Sequence, residues 1–132
     1  MKKFSFKNYK KKSGTLIPFS LKKNIPFKTK RIFIIYGSKN FVRGRHAHRK
    51  CSQFFVPIYG KMVINIEDIK KKTKIILDHK KQHGYLLKPK TWCRLKFKSK
   101  NSILMVFCDR EYEFKDYIEK YKDFLKIINK KK

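Results

Sequence analysis

The chain has 132 residues and a formal net charge of +28, because lysine and arginine number 37 whereas aspartate and glutamate number 9. This length predicts a single domain, residues 1–132, that is large enough to bury a hydrophobic core. The lack of any apolar run of about 18 residues argues against a membrane-spanning helix, and no apolar stretch follows the basic start as it would in a signal peptide.

Short strand-like segments make up most of the chain. Residues 1–13 are rich in lysine, and we expect them to form an edge strand or an arm. Later segments are rich in isoleucine, valine, phenylalanine, tyrosine or leucine, and each has the length of a strand. These segments are 31–36, 52–60, 61–68, 73–78, 84–89, 92–99 and 102–109. Because they follow one another without intervening helices, we predict an all-β fold, an antiparallel sandwich or barrel.

One of these segments, KMVINIED, shows the alternation of a strand with one buried face. Met62, Ile64 and Ile66 fall on one side, and Val63, Asn65 and Glu67 on the other.

The C-terminal segment has a different periodicity. Within residues 113–132, EFKDYIEKYKDFLKIINKKK, the apolar side chains recur at helical offsets. They are Phe114, Tyr117, Ile118, Tyr121, Leu125 and Ile128. We therefore predict one amphipathic helix that lies on the barrel and ends in lysines, which suit a helix C-terminus.

The number and spacing of the cysteines indicate the cellular compartment in which the protein works. Cys51, Cys93 and Cys108 are far apart, form no CxxC pair and are odd in number, which argues against a disulfide framework or a zinc knuckle. Reduced thiols of this kind fit a cytosolic protein. We expect cytoplasmic localisation.

Two of the four histidines stand one residue apart in RGRHAHRKCSQFF, residues 43–55. On a strand, His46 and His48 would point to the same face, and if that strand lines a barrel, both would face its cavity. Such a pair can bind a metal or transfer protons, whereas the alternative is two surface histidines in a basic loop. Gly44 before the pair and Gly60 after the next strand favour the functional interpretation.

This arrangement is similar to the first motif of the cupin superfamily, and GYLLKPKTW (84–92) is similar to the second. Metal-binding cupins have a glutamate shortly after the two histidines and a further histidine in the second motif. Here Gln53 stands near the glutamate position, and Trp92, Cys93 and Arg94 occupy the region of the last histidine. Two histidines and a neutral amide are a poor ligand set for a divalent metal. We therefore predict no metal site and an acid–base role for the histidines.

Most of the sequence resembles the sugar 3,4-ketoisomerases that act on dTDP-linked 4-keto-6-deoxyhexoses, including the similar domain of WxcM-type bifunctional proteins. The resemblance is carried by GTLIPFSLKKNIPFKTKRIFIIY (14–36), VRGRHAHRKCSQFF (42–55), GYLLKPKTW (84–92) and VFCDREYEFKDYIEKYKDFL (106–125). It implies a metal-independent, RmlC-like jelly-roll barrel of the cupin type, usually a homodimer, that needs no cofactor. It also implies a tautomerisation of dTDP-4-keto-6-deoxyglucose, in which a base removes the C3 proton, an enediol forms and C4 is reprotonated.

The resemblance also implies roles for single residues. His48 would be the base, and His46 its partner as a proton relay or a hydroxyl contact. Tyr36 would donate a hydrogen bond or a proton, although an aromatic end to a buried strand explains it equally well. Arg43 would steady a sugar oxygen or the diphosphate. Gln53 would hold a histidine tautomer or a hydroxyl, unless it is a polar group satisfied in the barrel wall.

The second motif supplies two further predicted substrate-binding residues, Trp92 and Arg94. Arg94 could bind phosphate, but Cys93 and Arg94 depart from the family's usual residues after the tryptophan. The diphosphate contacts and the configuration at C4 of the product therefore stay open.

Two other functions are compatible with the sequence. One is an epimerase of the same fold acting on a nucleotide-linked keto sugar. The other is a basic nucleic-acid-binding module, which the charge of +28 suggests. The basic residues are spread along the chain, as expected from a genome rich in A and T, and the aromatic residues fall within strands. We therefore favour the isomerase, with no membrane and no specific nucleic acid as partner, in a pathway to an amino sugar for a surface polysaccharide such as lipopolysaccharide O-antigen.

Overall fold

The computed structural model describes residues 2–129, which form two antiparallel sheets and a C-terminal helix. The strands are β1 (Lys2–Ser5), β2 (Tyr9–Lys11), β3 (Gly14–Leu16), β4 (Arg31–Gly37), β5 (Val42–His48), β6 (Gln53–Tyr59), β7 (Lys61–Glu67), β8 (Lys72–Asp78), β9 (His83–Leu87), β10 (Trp92–Phe97), β11 (Ser102–Cys108) and β12 (Tyr117–Ile118). The α-helices are α1 (Leu21–Asn24) and α2 (Tyr121–Asn129), and short 3-10 helices span His79–Lys81 and Phe114–Asp116. None of the helices within residues 2–129 is long and apolar enough to cross a bilayer.

The strand order explains how the barrel closes. One sheet has the order β1-β9-β6-β11-β4 and the other β12-β5-β10-β7-β8, while β2 and β3 form a separate hairpin. The chain passes from the first sheet to the second at Gly60, between β6 and β7. Gly60 has a φ of +87°, and a Cβ there would lie 2.8 Å from the Ser102 hydroxyl oxygen, so glycine suits this corner. The predicted all-β antiparallel barrel is confirmed.

Apolar side chains from both sheets fill the interior of the barrel. They include Phe55, Met62, Ile64, Leu77, Leu95, Phe97, Leu104 and Val106. The predicted alternation in β7 is confirmed, because Met62, Ile64 and Ile66 belong to this core whereas Asn65 is exposed. Burial of so much apolar surface is the main force that holds the two sheets together.

The N-terminal segment covers the outer face of the first sheet. Strand β1 pairs with β9 and is the edge strand that the sequence predicted. The rings of Phe4 and Phe6 pack edge-on against Phe54, with ring centroids 5.4 and 6.1 Å apart. This second cluster of aromatic side chains lies outside the barrel, on the opposite face of β6 from Phe55.

Helix α2 covers the outer face of the second sheet. Phe124 and Ile128 are buried against Ala47 and Ile118. The prediction that the helix begins near residue 113 is wrong, because Tyr117 and Ile118 pair as a strand with His48 and Ala47. That pairing satisfies backbone hydrogen bonds and outweighs the helical periodicity of the side chains. The last lysines of the predicted helix, 130–132, lie outside the described residues.

Candidate active site

The two histidines enter the barrel through an irregularity in strand β5. Arg43 is opposite Leu95 and His46 is opposite Cys93, with a shift of register between these two pairs. Residues 43 and 46 would lie on opposite faces of a regular strand, because side chains alternate. Gly44, with a φ of +68°, accommodates the extra residue of a β-bulge. The bulge therefore turns both Arg43 and His46 towards the interior.

His48 is held by a buried carboxylate. Its Nδ1 lies 2.8 Å from Oδ2 of Asp116, and both side chains are buried. Asp116 also accepts hydrogen bonds from the backbone N–H groups of Lys50, at 2.7 Å, and Cys51, at 3.3 Å. Because the carboxylate accepts and does not donate, Nδ1 of His48 carries the proton. The lone pair is therefore on Nε2, which is buried and has no partner among the described residues.

The surroundings keep both imidazoles neutral. Burial, together with the neighbouring His48 and Arg43, lowers the pKa of His46 to about 4. Burial also lowers the pKa of His48, although the hydrogen bond and the charge of Asp116 partly offset this effect. Burial alone would raise the pKa of Asp116, but the hydrogen bonds from His48 and the backbone lower it overall. An ionised carboxylate behind a neutral imidazole is the arrangement of a general base.

A cavity of about 220 Å³ lies between the sheets beside these histidines. Its walls are largely apolar, with Phe33, Ile35, Phe55, Leu95, Leu104 and Val106 among the lining residues. Four polar side chains also line it, namely Arg43, His46, Gln53 and Tyr117. The His48 ring lies against two of them, with its centroid 5.1 Å from that of His46 and 4.4 Å from that of Tyr117. A few convergent polar groups in an apolar cavity are typical of a small-molecule site.

The structure brings together four of the residues that the sequence singled out. His46, Arg43 and Gln53 line the cavity, and His48 lies directly against His46. The side-chain amide of Gln53 donates to the sulfur of Cys108 at 3.8 Å. Gln53 is thus fixed in the wall of the barrel and faces the cavity.

Three other predicted site residues are not brought to this cavity. On β4 the inward positions belong to Phe33 and Ile35, so alternation places Tyr36 on the outer face, where it is 77% exposed. On β10 the inward positions belong to Cys93 and its alternate neighbour Leu95. Trp92 and Arg94 therefore line a groove on the outer face of the second sheet.

Trp92 has a structural explanation. Its ring packs against Tyr121 and Phe124 of helix α2, with centroids 5.3 and 5.6 Å apart. This residue anchors the helix, and its substrate-binding role is not supported by its position in the described chain.

Two residues of the site, Asp116 and Tyr117, are not among those predicted from the sequence. The spacing of apolar residues around them is helical and predicts a C-terminal helix at these positions. One signal was available, since Asp116 is one of only nine acidic residues in a strongly basic chain and lies in the segment DYIEKY that carries the family resemblance. An acidic residue in such a chain has a higher chance of a specific role than one of its many lysines.

His48, Cys51 and Asp116 are also the type of residues that bind metals, and their ligand atoms lie within 4.8 Å of one another. Their present bonds do not fit a metal site. The thiol of Cys51 donates to the Ser52 carbonyl at 3.3 Å, and its hydrogen bonding with Cys108, together with burial, raises the pKa of Cys51. A protonated thiol is a poor ligand, and a metal would have to break the hydrogen bond between His48 and Asp116. The arrangement fits proton transfer better.

Comparison with known proteins gives consistent results for sequence and fold. The family model described as "FdtA: WxcM-like, C-terminal" matches residues 1–129. The TDP-4-oxo-6-deoxy-alpha-D-glucose-3,4-oxoisomerase of Aneurinibacillus thermoaerophilus is 32% identical over 130 residues, which are 98% of this chain and 93% of that protein.

Solved structures agree. The sugar 3,4-ketoisomerase QdtA from Thermoanaerobacterium thermosaccharolyticum, in complex with TDP, superposes with a TM-score of 0.91 at 27% identity, over 98% of this chain and 95% of that one. The RmlC epimerase of Mycobacterium tuberculosis shares the fold alone, with a TM-score of 0.76 at 12% identity over 87% of this chain and 66% of that one. These likenesses confirm the predicted RmlC-like jelly-roll barrel of the cupin type.

Proposed function

The chain belongs to the FdtA family of WxcM-like, C-terminal domains, and we propose that it converts dTDP-4-keto-6-deoxyglucose into its 3-keto isomer with His48 as the base. It is a sugar 3,4-ketoisomerase, an isomerase that exchanges a ketone and a neighbouring hydroxyl. The observation that carries the assignment of the base is the buried His48, whose Nδ1 is held by Asp116 and whose Nε2 has no partner among the described residues.

The first step is removal of the C3 proton. The C4 ketone makes this proton acidic, and Nε2 of His48 accepts it because Nδ1 is already protonated and bound to Asp116. The carboxylate then stabilises the imidazolium that forms. Electrons move from the C3–H bond into a C3–C4 double bond, and the pair displaced from the C4 carbonyl leaves an enediolate oxygen on C4.

The second step returns the proton to the neighbouring carbon. The imidazolium of His48 protonates C4, and the ketone forms at C3 as the proton of the C3 hydroxyl passes to the C4 oxygen. No electrons enter or leave the substrate, so the reaction requires neither a redox cofactor nor an external oxidant. One histidine can serve both carbons, because C3 and C4 are directly bonded.

The volume of the cavity indicates which part of the substrate it can hold. At about 220 Å³ the cavity is smaller than the roughly 300–1,000 Å³ of pockets that enclose a drug-sized ligand. We infer that it holds the sugar and leaves the nucleotide at the barrel mouth. Arg43 would hold a sugar oxygen or the diphosphate, while Gln53 and the neutral His46 would hold hydroxyl groups.

The acid side of the pH profile should depend on His48. This histidine must be neutral to act as a base, and its pKa lies below the ordinary value of 6.5 because of burial. Lowering the pH protonates it, so kcat/KM should fall only when the pH drops through a value below 6.5. Steady-state rates measured across the acid range would test this expectation. An acid limb with its midpoint above 6.5 would contradict the assignment.

A homodimer fits the outer face of strand β4. This strand is at the edge of its sheet, and it exposes Ile32, Ile34 and Tyr36, which are 48%, 45% and 77% accessible. Exposed apolar side chains on an unpaired edge are a liability in a monomer. A second copy of the chain would cover them. Sedimentation that finds only monomers at micromolar concentration would rule out this assembly.

We also place the enzyme in the cytoplasm. Cys51, Cys93 and Cys108 are all free and buried, as is common in a reducing compartment. The product would be a 3-keto sugar, whose ketone a transaminase could convert to an amine for a surface polysaccharide.

Proton NMR with dTDP-4-keto-6-deoxyglucose in D₂O tests the proposed function directly. The signals of a 3-keto sugar should grow, and deuterium should enter at C4 to the extent that the His48 imidazolium exchanges with solvent. The same spectrum gives the configuration at C4 and would reveal an epimerase by exchange at other carbons. A folded protein that forms no new sugar would overturn the proposal.

A further inference from the structure

Isomerisation moves two protons, and His48 accounts for only one of them. One proton travels from C3 to C4, and the other travels from the C3 hydroxyl to the C4 oxygen. We propose that Tyr117 is a second catalytic residue, which carries the hydroxyl proton between the two sugar oxygens. This inference rests on the function proposed above.

The position of Tyr117 supports this role. It lies in the short strand β12, where it pairs directly with His48, and its side chain lines the cavity. Its ring centroid is 4.4 Å from that of His48 and 5.0 Å from that of His46. A sugar whose C3 reaches Nε2 of His48 would therefore have its C3 and C4 oxygens close to Tyr117.

Arg31 supplies a positive charge beside the phenol. It lies at the start of β4, and its guanidinium packs over the rings of Phe33 and Tyr112, with a distance of 5.5 Å to each centroid. It donates to the sulfur of Cys108 at 3.5 Å. Burial opposes the charge, yet side-chain hydrogen bonds with Cys108 and Tyr117 raise the pKa of Arg31.

The buried carboxylate of Asp116 is paired with His48 and not with this guanidinium. Nε of Arg31 is buried without a partner among residues 2–129. A guanidinium next to a phenol stabilises the phenolate that forms when the phenol gives up its proton.

The proposed steps balance. As His48 takes the proton from C3, the Tyr117 hydroxyl gives its proton to the C4 oxygen, which leaves a neutral enediol, an imidazolium and a phenolate. The imidazolium then protonates C4, and the phenolate takes the proton of the C3 hydroxyl as the C3 ketone forms. Both catalytic groups return to their starting protonation states.

The other polar groups of the cavity fit this role less well. Gln53 has an amide, which neither gives up nor accepts a proton at neutral pH, and a guanidinium such as that of Arg43 does not act as a proton shuttle. The pKa of His46, about 4, makes it a poor proton donor at neutral pH. Tyr36, the donor expected from the sequence, lies on the outer face of β4.

The first test is Tyr117→Phe, with Tyr121→Phe as the matched control. Tyr121 belongs to helix α2, and its hydroxyl bonds to Glu67 on the outer face, 2.6 Å away. Tyr117→Phe should lower kcat by about 10²-fold, with little change in KM or in the affinity for TDP, whereas Tyr121→Phe should turn over like the wild type. A wild-type rate for Tyr117→Phe would overturn the inference, as would a loss that appears entirely in KM. An inactive wild type would instead overturn the proposed function as well.

A second test uses a variant that retains the phenol hydroxyl and the shape of the side chain. Replacing Tyr117 by 3,5-difluorotyrosine makes the phenol more acidic without removing it. Because the phenol must be protonated to act as the acid, the alkaline limb of the kcat profile should move to lower pH. An unchanged alkaline limb would overturn the inference.

The part played by Arg31 can be separated by a double mutant. Arg31→Gln should slow the wild type but have little further effect in the Tyr117→Phe background, because it acts through the phenolate. Additive losses would show that Arg31 does not act through Tyr117.

Discussion

Replacement of His48 by asparagine is expected to abolish isomerisation, with a fall in kcat of about 10⁴-fold. Asparagine has nearly the shape of the inner part of histidine but cannot accept the C3 proton. Its amide can still bond to Asp116, so the carboxylate does not lose its partner and the fold should be retained. Proton NMR in D₂O should show neither the 3-keto sugar nor deuterium at C4 within the time in which the wild type reaches equilibrium.

His83→Asn is the matched control for this variant. His83 begins strand β9, where it pairs with Ser5 at the edge of the first sheet, away from the cavity. The His83→Asn variant should isomerise the substrate at the rate of the wild type. TDP should bind to His48→Asn with nearly unchanged affinity, because we propose that the nucleotide binds outside the cavity. A His48→Asn protein that still forms the product at a rate close to that of the wild type would show that another group is the base.

Asp116→Asn is expected to lower kcat by about 10²- to 10⁴-fold while leaving substrate binding nearly intact. An asparagine amide can donate to Nδ1 of His48 and so hold the imidazole in the tautomer with the proton on Nε2. That tautomer cannot accept the C3 proton. The variant also loses the negative charge that stabilises the imidazolium.

The pH profile of Asp116→Asn distinguishes this explanation from simple misfolding. The carboxylate raises the pKa of His48 against the effect of burial, so its removal should lower that pKa further. The acid limb of kcat/KM should therefore move to lower pH even as the maximal rate falls. Asp78→Asn is a suitable comparison, since Asp78 accepts from the backbone N–H of Lys80 at 3.0 Å in an exposed hydrogen bond. An acid limb that stays in place or moves to higher pH in Asp116→Asn would contradict the role given to the carboxylate.

The strands were largely predictable from the sequence because burial on one face leaves a simple pattern of apolar residues. Each segment predicted as a strand from residue 31 onward corresponds to a strand, and the two histidines at 46 and 48 lie with their rings in contact as their spacing implied. The C-terminal segment was less predictable. Its apolar spacing fits a helix throughout, yet within residues 113–129 only Tyr121–Asn129 is α-helical, because Tyr117 and Ile118 instead complete the edge of β5.

The direction in which each site residue points was the least predictable feature. The bulge at Gly44 brings Arg43 and His46 to the same face, whereas regular alternation sends Tyr36 and Arg94 outward. Neither the bulge nor the position of the sheet relative to the core can be read from residue types, since both depend on which strands pair.

The class of fold, the segment that carries the histidines and the family to which the chain belongs can all be recognised in the amino-acid sequence. These properties depend on local patterns, namely the period of apolar residues and the order of short motifs. The contacts of His48 with Asp116 and Tyr117 become visible only in the folded chain. Asp116 and Tyr117 lie at least 68 positions after His48 in the sequence. They meet His48 because β12 pairs with β5. The selection of the acid and base groups thus depends on long-range strand pairing, which no local pattern encodes.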